Sequence, residues 1–226
     1  MTSTLKMKKA QYMSWFARVT EEGGVVNIEF SVSPEVFGGE LADWLKVDWP
    51  SVWNGPPNGG AELDAWLSRY GWKPVELQRQ LEVETRHGSV FEFHSDGTWA
   101  PVNAVTRGLM RAGSNSSDDR DRVLGEVAER WEAYLAHAVA AAGEPTGVGV
   151  AGRPGFPVPP GNEWSVPDSE RENPRRLAYW EGFGGGLDAP VLVVRQGVAL
   201  PTWSDSPVPS SNISMVFHRP HGWRRH

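Results

Sequence analysis

Cysteine is absent from this 226-residue sequence. Its absence excludes disulfides, thiolate nucleophiles and Cys-ligated zinc together. Long apolar runs are also missing: none approaches the length of a membrane span. The N-terminal stretch MTSTLKMKKAQYMSWF carries lysines but lacks the apolar core of a secretory signal. These two absences place the chain in the cytoplasm, with no membrane partner, as an expectation. Lysine is scarce, at 5 residues against 17 Arg, amid abundant Ala, Gly and Pro. That bias points to a GC-rich genome and carries no functional information. Positive charge is in deficit overall, with a formal net charge of -6. An acidic balance argues against a general nucleic-acid binder and suits a basic partner.

Tryptophan, by contrast, is abundant, with 12 residues. Its first use is as large core filler, and its second is as an interface anchor. The clearest element runs from Asp118 to Ala142. Leu124, Val127, Ala128, Trp131, Tyr134, Leu135, Ala138, Val139 and Ala142 recur at helical spacing and fill one stripe. Asp118, Asp119 and Asp121 favour the positive end of the helix dipole. Ser116, Ser117 or Asp118 can cap it, and Gly143 with Pro145 writes its stop. Such a stripe is wide enough to cover a sheet.

Strands surround this helix. A hairpin is expected from Trp15–Thr20 and Val25–Val32, closed by Glu21-Glu22-Gly23-Gly24. Ser33-Pro34-Glu35 starts a helix that Gly38 and Gly39 should interrupt, so a short helix around Leu41, Trp44 and Leu45 is expected, ending near Pro50. A second short Trp-bearing helix carries Leu63, Trp66, Leu67 and Tyr70. Leu81–Thr85, Val90–His94, Trp99–Val102 and Val105–Met110 read as a meander. Residues 143–174 are dominated by Gly and Pro and read as an irregular insertion. Leu177–Phe183, Pro190–Arg195, Val198–Trp203 and Ile213–Phe217 read as closing strands, with Val191–Val194 central in a sheet. The fold class that follows is α+β. A mostly antiparallel sheet of meanders and hairpins is packed by one long helix and two short Trp-bearing helices. Its expected limits are a leader at 1–13, one domain at 14–217 and a basic tail at 218–226.

No motif specifies chemistry. Gly147-Val148-Gly149-Val150-Ala151-Gly152 matches G-x-G-x-x-G, but a helix precedes it and Arg153-Pro154 follows, which is the wrong setting for a dinucleotide fingerprint. His94, Ser95 and Asp96 sit on one tight turn, where nucleophile, base and orienter cannot align. His218, His221 and His226 lack the spacing of a closed metal site. No catalytic, cofactor or metal-binding residue is assigned. The acids Glu82, Glu84 and Glu92 fall on adjacent strands and form an acidic patch. With Trp99 as an aromatic anchor, they are the residues expected to bind a partner.

Three landmarks occur in order: Tyr70-Gly71-Trp72 after a short helix, the long acid-started helix, and Gly143-Glu144-Pro145-Thr146 directly after it. In these, residues 61–203 resemble a group of uncharacterised actinobacterial proteins that are similar to immunity proteins of polymorphic toxins. The resemblance implies a non-catalytic protein-binding module and supplies no catalytic residues. Two alternatives remain open: a phage or virion accessory protein, and a hydrolase of unrecognised type built on scattered carboxylates and His94.

Overall fold

Alternation along the strands divides their side chains between two faces of a single sheet, and the helices lie on one of them. The computed structural model describes residues 26–77, 80–97, 100–160, 173–186, 188–199 and 209–223, with residues 15–19 as a backbone path. The strands are β1 (Trp15–Val19), β2 (Val26–Phe30), β3 (Lys73–Glu76), β4 (Leu81–Glu84), β5 (Val90–Ser95), β6 (Val102–Ser114), β7 (Gly147–Val150), β8 (Arg176–Trp180), β9 (Val191–Ala199) and β10 (Ser210–His218). They form a 10-stranded sheet in the order β3-β4-β5-β6-β10-β9-β8-β7. Each pairing among the described residues is antiparallel. The long β6 forks the sheet: its first half pairs with β5 and its second half with β2, which in turn carries β1.

The helices are α1 (Pro34–Trp44), α2 (Trp49–Asn54), α3 (Gly60–Tyr70) and α4 (Arg120–Ala142). A 3-10 turn at Ser117–Asp119 leads into α4, and the Ser116 hydroxyl accepts from the Asp118 N–H. Val123, Val127, Trp131, Tyr134 and Ala138 of α4 join the core with Phe91, Phe93, Val105, Ile213, Met215 and Phe217 of the sheet. The Tyr134 hydroxyl donates to the Val32 carbonyl, pinning α4 over the chain that enters α1. The α+β class and the antiparallel sheet covered by Trp-bearing helices therefore stand.

Trp44, Trp49, Trp53, Trp66, Trp72, Trp131 and Trp180 are all buried. Trp44 contacts Trp49, Trp72, Phe91 and Phe217 at ring separations of 4.6–5.6 Å. These Trp are core filler, joining the short helices to the sheet through offset and edge contacts.

Several boundaries depart from expectation for local reasons. Gly38 and Gly39 do not interrupt α1. A Cβ at Gly38 would lie 3.3 Å from His137 Cβ, so this glycine admits α4 at the helix crossing. Pro50 starts α2 rather than ending α1, because proline suits the first helical turn. The strand expected at 190–195 and the start of the one expected at 198–203 belong to one strand, β9, which runs to Ala199, residues 200–203 lying outside the described residues; 102–110 likewise lies in the continuous β6. The insertion at 143–174 contains β7. The end of the chain is not a free tail from 218. His218 is paired in β10 and buried, the Arg219 N–H donates to the Asn103 carbonyl at 3.0 Å, and the Arg219 guanidinium lies 4.8 Å from the Trp223 ring. The 1–13 leader and Trp99 lie outside the described residues.

Candidate functional site

The sheet face turned away from the helices has its own order. One transverse row reads Tyr179, Val193, Val216, Thr106, Glu92 and Glu82 across β8, β9, β10, β6, β5 and β4. Polarity changes along that row from apolar, through hydroxyl, to acid. At the apolar end Leu177, Val191 and Val193 form a small buried cluster with Phe156 and Tyr179 packed against it. The glycines of the G-x-G-x-x-G match account for that packing. A Cβ at Gly147 would lie 2.6 Å from Tyr179 Cε1, and one at Gly149 would lie 2.5 Å from Pro157 Cδ. They let residues 156–157 lie directly on β7, and among the described residues no helix begins after them in this segment.

At the acidic end, Glu82 stands directly opposite Glu92, and Glu84 lies two pairs further along against Val90. Alternation fixes this: Leu81, Val83, Phe91 and Phe93 occupy the core face, so the intervening acids point away from it. Gln80 Nε2 donates to Glu82 Oε1 at 3.1 Å, and His94 Nε2 stands 3.8 Å from Glu92 Oε2. Two like charges directly opposite one another destabilise a strand pair. The three expected acids thus share one face.

Between these ends lies a cleft of about 510 Å³ lined by His94, Asn103, Thr106, Arg195, His218, Arg219, His221 and Trp223, with Pro160 and Val216 among its apolar walls. His94 Nε2 and Thr106 Oγ1 are 2.8 Å apart. Arg195 Nε donates to Ser214 Oγ at 3.4 Å, and burial pushes its pKa down. Burial, with the Arg195 and His94 charges, pushes the His218 imidazole down to about 3. Glu92 and Thr106 both approach the same nitrogen of His94. A catalytic relay needs its orienting carboxylate and its nucleophile on opposite ring nitrogens, so this set is not a relay. Ser95 donates to the Gly97 carbonyl, while Asp96 accepts from Asn103 and Arg219. His94 and Ser95 therefore end β5, and Asp96 begins a structured turn.

A second, smaller cleft of about 190 Å³ lies on the helical side, lined in part by Asp43, Lys46, Arg69, Tyr70, Arg86 and His87. Asp43 accepts from Arg86 at 2.5 Å and lies 2.8 Å from His87 Nε2. Its pKa is lowered: burial opposes ionisation, but the His87 and Arg86 hydrogen bonds together outweigh it. Glu40 is also in that lining. Its carboxylate pairs with Arg107, the two side chains 1% and 3% exposed, and accepts from Thr85 Oγ1 at 2.9 Å. Arg107 lies over the Phe91 ring at 5.3 Å, and burial lowers its pKa against the raising effect of Glu40. This pair ties α1 to β6 within the core.

Among the described residues no group of three or more His, Asp or Glu is arranged to hold a metal ion, and no helix is long and apolar enough to cross a membrane. Comparison with protein-family models, curated proteins and solved structures gave no match. Sequence reasoning found the acidic group but not Arg195 or Thr106, and it weighed His218 only as a metal ligand. The available signal was the two-residue period that places Arg195 on the face of Val191 and Val193.

Proposed function

We propose that the chain is a non-catalytic protein-binding module, an immunity-like inhibitor that engages a basic toxin in the cytoplasm through the acidic end of the open sheet face. The observation that carries this reading is the register of Glu82 opposite Glu92, with Glu84 beside them. Side by side, these acids repel, and a cationic partner turns that repulsion into attraction. Negative net charge and the landmark residues Tyr70-Gly71-Trp72 and Gly143-Glu144-Pro145-Thr146 support the same reading. The test is a search of the genes beside this one for a toxin, followed by co-expression with any basic toxin domain found there. Protection of the host by the wild type, lost with Glu82→Lys and Glu84→Lys together, is expected. A neighbourhood without a toxin, or equal protection by the double variant, contradicts it.

A further inference from the structure

The 510 Å³ cleft at the middle of the open face has a composition at odds with the protein as a whole. The chain is acidic, yet the described residues lining this cleft comprise Arg195, Arg219, His94, His218 and His221 and no carboxylate. Hydrogen-bond donors and acceptors of neutral type, Thr106 and Asn103, complete the polar wall. They come from four strands and the segment after β10, and register fixes their relative positions: Arg195 opposite Ser214, Val216 opposite Thr106, and His218 opposite Ala104, which is itself opposite His94. The donors are thus set on sheet backbone rather than on loops alone, which is how a recognition site is held in shape.

We propose that this cleft binds a small organic phosphate. Two guanidiniums match a dianion better than a single carboxylate, and guanidinium geometry suits the oxygens of a phosphoryl group. The His94 imidazole and the Thr106 hydroxyl, 2.8 Å apart, add polar atoms from another direction, while Arg219 and the Asn103 amide also hold the Asp96 carboxylate beside the cleft. Volume sets the remaining chemistry. A cleft of about 510 Å³ lies within the range of small-molecule sites, roughly 300–1,000 Å³, and exceeds what one phosphate fills. Val216, Pro160 and the Trp223 ring supply an apolar wall for the organic part. Burial is the main cause of the depressed His218 pKa, and the Arg195 and His94 charges add to it in the same direction. This inference does not depend on the protein-binding reading, because the acids of that reading lie outside the cleft lining.

The test is isothermal titration calorimetry of the full chain with inorganic phosphate, adenosine 5′-monophosphate, glycerol 3-phosphate and citrate, in chloride buffer at pH 7.5. Saturable binding of at least one phosphate ester, at least fivefold tighter than inorganic phosphate, is expected. Arg195→Met keeps the buried stem and removes the charge, and should weaken that binding at least tenfold. Thr106→Asp places an anion in the cleft and should abolish it, which keeps the test decisive if Arg195→Met fails to fold. Arg86→Met, in the other cleft, should bind as the wild type does. No saturable binding of any phosphate, binding of citrate alone, ester binding no tighter than inorganic phosphate, or equal binding by wild type and Thr106→Asp would overturn the proposal.

Discussion

Removing one partner of the Glu40–Arg107 pair should cost far more than removing both. The two side chains are 1% and 3% exposed, so neither charge can regain water when the other is lost. Arg107→Met leaves the Glu40 carboxylate with the Thr85 hydroxyl as its remaining described donor. Glu40→Met leaves a buried guanidinium over Phe91, with a 3.4 Å contact to the Ser31 carbonyl. Breaking a buried pair in this way costs about 3–5 kcal/mol, whereas replacing both members by apolar side chains of similar volume is often close to neutral. We therefore expect each single variant to lose about 3–5 kcal/mol and the double variant no more than about 2. The coupling energy follows from urea denaturation of the four proteins, read as midpoints at constant slope. Single losses below about 1 kcal/mol, or a double loss equal to the sum of the singles, would refute the reasoning.

Three further outcomes follow from particular contacts. His218 has a folded pKa of about 3, below its unfolded value of about 6.5, so the unfolded state takes up the proton first. Its contribution is intact above pH 6.5 and is lost as pH falls towards 3, by about 2 kcal/mol on reaching pH 5; urea midpoints of wild type and His218→Gln should show a shallower acid slope in the variant, and equal slopes contradict this. Deleting residues 218–226 removes the His218 pairings with Val191 and Ala104 and the Arg219 bonds to the Asn103 and Val102 carbonyls and to Asp96. Thermal denaturation should show a fall of more than ~5 °C, about 2 kcal/mol for a chain of this size, and an unchanged midpoint would mean that these contacts contribute nothing. Gly149→Val puts its Cβ 2.5 Å from Pro157 Cδ and 3.2 Å from Phe156 Cα, so it should lower stability by about 1–3 kcal/mol through overpacking; a variant as stable as the wild type in the same melt would show that residues 156–157 yield freely.

What was legible in the sequence had a period. The α4 stripe gave its helix to within two residues at the start, and the alternation Leu81-Glu82-Val83-Glu84 gave both a strand and the face of its acids. What was not legible depended on a neighbour distant in sequence. Gly38 looks like a helix breaker until α4 is seen to need the space. Pro50 reads equally as a stop and as a start, and only the burial of Trp49 and Trp53 decides for α2. The basic run after Phe217 looks like a solvated tail, yet β6 and β9 supply partners for His218. The central cleft was hidden for the same reason, since its residues come from β5, β6, β9, β10 and the segments after Gly155 and His218, and no local pattern unites them.

The most direct test of the binding reading is the association rate of the chain with a basic toxin domain identified by co-purification, measured at low and high salt for wild type and for Glu82→Lys with Glu84→Lys. Charges at the rim of an interface act chiefly on association, and salt screens them. The double variant should associate several-fold more slowly at low salt, and the two proteins should converge as salt rises. Equal association rates across all salt concentrations would contradict the assignment of this acidic face as the binding surface.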